Sequence, residues 1–443
     1  MNMKIKTLAI AVTSAILSTS ALAVDFHGYA RSAVGFSNDG AMQELEPAKV
    51  GRLGQPDTFG ELKFGQELWE QDGKSFYFDT LLAFAPGQIG GDWTSVTPAW
   101  REINVQARNL FGEGTNFWIG KRYNQRHDVY HLDWYYWNAS APSVGIEGVD
   151  LGTGKGMFAV TRTYDKSAIT GSETSNQVCL ADAGCENLDG STVALGDIYQ
   201  VETDQSTDFP VYHLDARWAE IPVWADGNLE LGFDYALPYI TAVAKDANAT
   251  KNGGVALTLE QTQGNFFGGF NKFVLQWGNN GQAAQIGSTG AVGYDYGYDV
   301  DDAGASAFRI LNHGVVNLGE NWESGYAAYY FQGSRDNSSD TNGFSVSARP
   351  IYKWNEHNRT SFEVGYFAGE NQDGYWGKDA VSGTSKQTNG KFTIAQTWAP
   401  SNSYWAKPEL RLFASYLKDF EGNSFRDDKD YALNIGAQFE VWW

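Results

Sequence analysis

Positive charge is scarce in this sequence: 32 Lys and Arg stand against 53 Asp and Glu, for a formal net charge of −21. That balance excludes a nucleic-acid partner, because phosphate binding needs clustered cations. Charged residues together make up only 19 % of the chain, below the roughly 25 % of an ordinary soluble domain. Proline is also rare, at 11 in 443 residues, while Trp, Tyr and Phe number 16, 23 and 26. A chain so rich in aromatics is not disordered, since it has ample apolar surface to offset the entropy of ordering.

There are two cysteines, Cys179 and Cys185. In an oxidising compartment they can close a small loop as a disulfide. The alternative, a metal pair, is a weak motif at this spacing with no His nearby, and no metal site is assigned. Beyond the N-terminal segment no run of 18 apolar residues occurs, which excludes a bundle of membrane-spanning helices. Catalytic signatures are missing as well: there is no G-x-S-x-G elbow, no H-E-x-x-H and no Walker A motif. The stretch Gly152-Thr153-Gly154-Lys155-Gly156 lacks the phosphate-loop spacing and reads as a glycine-rich turn or strand. Asp299, Asp301 and Asp302 read as a solvated loop in preference to a calcium site. Carboxylate pairs suited to glycoside hydrolysis stay open among so many acids. Nothing else points to an enzyme or to a cofactor.

What is present begins with residues 1–23. Lys4 and Lys6 precede a short apolar stretch that ends in Ala21-Leu22-Ala23, the layout of a secretory signal peptide. Cleavage there takes the formal net charge from −21 to −23 through loss of the two lysines and marks the protein as exported. Residues 24–443 show no linker and are expected to form one domain.

The dominant pattern in that domain has period two, in stretches of about ten residues separated by Gly, Asn, Asp and Ser, as in a long antiparallel meander. In the last stretch Tyr431, Leu433, Ile435, Ala437, Phe439 and Val441 share one face, while Asn434, Gln438 and Glu440 share the other. Trp442 is an aromatic exception on the polar side. The first mature stretch repeats the design, with Phe26, Val34 and Phe36 on one side and Asp25, His27 and Arg31 on the other, joined by Tyr29. Phe59 likewise falls with Glu61, Lys63 and Glu67. A soluble sandwich would turn the apolar face inward, whereas an outer-membrane barrel turns it to lipid and keeps a polar lumen. Export, strand length, the wealth of Trp and Tyr and the terminal aromatic strand favour the barrel. The length accommodates about 16 to 20 strands, a size that leaves an aqueous channel. Rings on the polar face need a cover: either the flat apolar face of a sugar or an inward-folded loop.

Several long strings resemble the maltoporin family. They include Val24-Asp-Phe-His-Gly-Tyr29-Ala-Arg31, Gly60-Glu61-Leu-Lys-Phe-Gly-Gln-Glu67, Gly120-Lys-Arg-Tyr-Asn-Gln-Arg126-His-Asp128, Asp133-Trp-Tyr135-Tyr-Trp137, Arg309-Ile-Leu-Asn-His-Gly314 and the final Trp442-Trp443. The resemblance implies an all-β transmembrane antiparallel barrel of about 18 strands, trimeric, with long extracellular loops and one folded inward as a constriction. It implies an aromatic slide over Trp93, Phe59, Tyr29, Trp442, Trp405 and Phe270. Tyr135 would be the constriction tyrosine, flanked by a polar track of Arg31, Arg52, Glu61, Arg101, Arg126, Asp128 and Asp133. The expected function is facilitated diffusion of maltose and maltodextrins across the outer membrane, within its lipid, as a homotrimer and without a cofactor. Another oligosaccharide such as sucrose or an aryl-β-glucoside, or no selectivity, is the alternative within the class; a secreted carbohydrate-binding β-protein is the alternative outside it. Phe59 stands where the family commonly has Tyr, and the cysteines lie in a different loop from the family's pair. Residues 160–255 and 280–305 match poorly.

Overall fold

The computed structural model describes residues 24–45, 49–86, 95–165, 170–179, 185–186, 191–194, 197–206, 209–239, 252–293, 304–335, 340–370, 386–422 and 425–443. Eighteen antiparallel strands form one sheet that closes on itself. Each pairs with its neighbour in the chain, and the first, Asp25–Ser37, pairs with the last, Tyr431–Trp442, through Tyr29↔Trp442 to Ser37↔Asn434. Closure removes both sheet edges, the condition for a sheet to stand in lipid.

The two periodic faces sort as a lipid-facing barrel requires. Leu433, Ile435 and Phe439 are exposed on the outside, whereas Asn434, Gln438 and Glu440 are buried in the interior. Phe26, Val34, Phe36, Phe392 and Ile394 continue the outer apolar band. Burial of the polar face inside a barrel leaves the soluble-sandwich reading without support.

One rim carries tight connections. Asp72 and Gly73 adopt φ of 52° and 74° between paired strands, the left-handed pair a two-residue hairpin turn needs. Residues 151–154 form a four-residue turn between the paired Asp150 and Lys155, so the glycine-rich stretch there is structural. The opposite rim bears the long segments. Short turns on one side and long loops on the other is the arrangement of outer-membrane barrels, in which the long loops are extracellular.

The hydrophobic core lies inside the barrel, between wall and loops. Val129, Leu132, Trp134, Tyr136 and Trp137, from the segment between strands Asn116–Lys121 and Pro142–Asp150, pack with Val50, Val292, Ala256, Leu311 and Phe331. That segment is the inward loop, and two others join it. Arg52 N of residues 38–57 donates to His131 O at 3.0 Å, and Asn138 N donates to Val292 O at 2.9 Å. Gly232 makes room on the wall, since a Cβ there would collide with the Trp137 indole.

Candidate functional site

Parity places Tyr29, Phe59 and Trp442 on the inner wall, and all three line a cavity of about 470 Å³. Arg31, Arg52, Glu61, Arg101, Arg126, Asp128, Asp133 and Tyr135 line the same cavity. Phe270 and Trp405 border a second cavity of about 480 Å³, which shares Arg126, Asp128, Tyr130 and Trp442 with the first. Trp93 lies outside the described residues, as do Asp299, Asp301 and Asp302.

The rings form a nearly continuous row. The Phe59 and Tyr29 centroids are 6.0 Å apart, and Phe270 stacks on Trp405 at 6.5 Å. Tyr130 links the second pair to Trp442, its ring lying 5.3 Å from Trp405 and 5.9 Å from Trp442. Sequence reasoning passed over Tyr130 because it sits in the loop, in a short 3-10 turn over Tyr130–Leu132, where strand parity has no say. Its hydroxyl donates to Glu440 Oε2 at 2.9 Å, which fixes the orientation of the ring. Trp405 is 40 % exposed and Trp442 37 %, so the tryptophan faces look onto the lumen.

Along this row runs a charged network. Asp133 has φ of 51° at the end of the turn, a left-handed conformation that Asp tolerates better than most residues. The turn directs its carboxylate to Arg31 Nη2 at 2.9 Å and Arg52 Nη1 at 3.1 Å. Arg52 Nη2 also donates to Tyr29 Oη at 2.7 Å, and Tyr29 donates to Glu440 Oε1 at 2.9 Å. Arg31 Nε donates to Asp57 at 2.6 Å. In the same cavity Arg126 lies 3.4 Å from the Tyr123 centroid and 4.4 Å from that of Tyr135, while Tyr123 donates to Glu61 Oε1 at 2.7 Å.

Burial alone would raise the Asp133 carboxyl, but Arg52 and Arg31 outweigh it and hold it below its ordinary range. Asp128 goes the other way, because burial there exceeds the pull of Arg126. Burial pushes the Tyr135 phenol up to about 12, so it is neutral and can both donate and accept. A neutral polyol passing here meets aromatic rings and oriented donors and acceptors in the same cavity, without having to neutralise a charge.

Further groups were not foreseen. Lys407 Nζ sits 4.2 Å over the Trp442 ring, and Lys272 and His313 border the second cavity. They come from strands and turns distant in sequence, and no local pattern marks them. Cys179 and Cys185 form a disulfide that closes a small loop.

Comparison with known proteins gives the family. A family model described as LamB porin matches residues 24–443. A curated relative from Hahella chejuensis, named Maltoporin, is 37 % identical over 450 residues, covering 99 % of this chain and 98 % of its own. Among solved structures, the outer membrane channel DcaP of Acinetobacter baumannii aligns with a TM-score of 0.42 at 13 % identity, covering 96 % of this chain and 99 % of that one. An anion-selective porin from Comamonas acidovorans aligns with a TM-score of 0.45 at 12 % identity, over 95 % and 99 % of the two chains. The chain belongs to the LamB porin family and is a channel, a multi-pass β-barrel of the outer membrane.

Proposed function

We propose that this porin carries maltose and maltodextrins by facilitated diffusion, as a homotrimer, after loss of residues 1–23. The observation that carries the reading is the run of rings Phe59, Tyr29, Trp442, Trp405 and Phe270, bridged by Tyr130 and flanked by the Arg31–Asp133–Arg52 network. An α-linked glucan chain offers apolar pyranose faces to the rings while its hydroxyls reach the carboxylates and guanidinium groups. Trp93 would open the row on the extracellular side, and Tyr135 with Arg126 would narrow it. The relative's name agrees with this substrate class.

Binding in such a row is weak at each ring and spread over several, as conduction requires. The test is ion current through the purified protein in a planar bilayer, titrated with maltohexaose, sucrose and a β-glucoside. Saturable block strongest for maltohexaose is expected. Stronger block by sucrose or the β-glucoside would move the substrate, and no block by any sugar would leave a non-selective porin.

A further inference from the structure

Glu230 and Glu260 stand directly opposite one another on the neighbouring strands Gly227–Pro238 and Gly254–Phe266. Like charges at paired positions repel. His127 of the inward loop reaches over the pair, with Nδ1 2.8 Å from Glu260 Oε2 and Nε2 3.5 Å from Glu230 Oε2. Glu260 has further support, since Tyr136 donates to it at 2.7 Å and Lys272 pairs with it. Glu230 has less: its Oε1 is buried without a hydrogen-bond partner.

Two features separate this cluster from an ordinary ion-pair network. The 3.5 Å between His127 Nε2 and Glu230 Oε2 is long for a hydrogen bond. It matches two donors each about 2.1 Å from one ion at a tetrahedral angle. The other ring nitrogen is held by a carboxylate, and Nδ1–H donation to Glu260 leaves the Nε2 lone pair turned towards Glu230. That is the outer-shell arrangement that orients ligating histidines. One donor atom from each of the three residues lies within 4.8 Å of the others. His127 also borders the second cavity, so an ion can arrive from the lumen and waters can complete its shell.

We propose that His127 Nε2 and the Glu230 carboxylate bind a borderline divalent cation of the zinc class, with Glu260 orienting the imidazole. A nitrogen donor beside carboxylate oxygens suits zinc over magnesium or calcium. The bound ion offsets the opposed carboxylates and ties the inward loop to the wall beside the sugar path. None of this depends on which sugar the channel carries.

The experiment is calorimetric titration of the purified, detergent-solubilised porin with zinc chloride and, separately, magnesium chloride, together with the visible absorption of added cobalt(II). One saturable zinc site per chain, a visible cobalt band and no magnesium binding are expected. H127Q and E230Q should abolish the site, and E260Q should weaken it by about 10- to 100-fold, the usual effect of losing an outer-shell partner. If one variant fails to assemble as a barrel, the other carries the comparison. Absence of saturable zinc binding to the unaltered protein, or binding by assembled H127Q or E230Q equal to it, overturns the proposal.

Discussion

Trp405→Ala tests the slide where the arithmetic is simplest. The ring is 40 % exposed and its neighbours are other rings: Tyr404, Tyr130 and Phe270. A tryptophan side chain buries up to about 250 Å², so about 100 Å² faces the lumen here and one pyranose covers about half of that. At ~25 cal/mol per Å² the lost contact is worth ~1.2 kcal/mol, or about eightfold in affinity. The assay is maltohexaose block of single-channel current, with the dissociation rate read from current noise. The expected result is an affinity drop of roughly this size, expressed mainly as faster dissociation, with open-channel ion conductance equal or slightly larger. An affinity within about twofold of the unaltered channel, in a variant that inserts and conducts normally, would refute the assignment of Trp405 to the path.

Three other outcomes follow from the same geometry. Tyr130→Leu should weaken maltohexaose block by several-fold because the row loses its bridge between Trp442 and Trp405, whereas Tyr130→Phe keeps the ring and should change the block far less; equal effects would show that the hydroxyl on Glu440, and not the ring, matters. Glu363 pairs with Arg349 Nε at 2.7 Å and Lys391 at 3.1 Å and accepts from Leu53 N at 2.8 Å. Glu363→Gln leaves two buried cations under-compensated, so denaturant unfolding should show a loss of about 3–5 kcal/mol, and a loss below about 1 kcal/mol would contradict that account. Burial and Arg349 lower the His131 imidazole to about 3. Its unfolded form takes up a proton near pH 6.5, so its contribution is complete above that value and falls away as the pH drops towards 3, by about 2 kcal/mol at pH 5; His131→Gln should lose this part of the acid sensitivity of thermal unfolding, and an unchanged pH profile would tell against it.

The barrel was legible in the sequence because strand parity is a local signal. Tyr431 to Trp442 displays both faces in twelve residues, and one wrong step would put every side chain on the other face. The same rule, without any family resemblance, puts Tyr29, Phe59 and Trp442 on the lumen face. It was silent on Tyr130, Asp133 and His127, whose positions depend on an inward loop packed against strands far away in the chain. Tyr130 meets Glu440 across 310 positions and His131 meets Ser347 across 216. The resemblance supplied Asp133, Arg126 and Tyr135 but not Tyr130 or the Glu230–Glu260 opposition, which only the register of paired strands reveals. Phe270 and Trp405 come from the resemblance alone, since Phe270 is the second residue of its strand, beside a turn, and Trp405 stands in one.

On the proposed reading, the division of labour between wall and loop is what makes a pore this wide selective. An 18-stranded wall sets a diameter that side chains alone do not fill. The inward loop fills it, but a loop carries backbone groups that must find partners away from bulk water. Here the wall provides them: Arg309 Nη2 donates to Tyr136 O at 3.0 Å, Arg349 Nη2 to His131 O at 3.2 Å, and Arg217 Nη1 to Gln125 O at 2.8 Å. Three arginines from three separate strands thus hold successive parts of one loop, and each has its own support from Gln276, Glu363 or Asp215. A loop clamped in this way keeps its rings at fixed spacing, so on the proposed reading little ordering entropy is charged to sugar binding. On the proposed reading, selectivity then resides in side chains of the loop, such as Tyr130 and Tyr135, which can vary without disturbing the closure of the sheet.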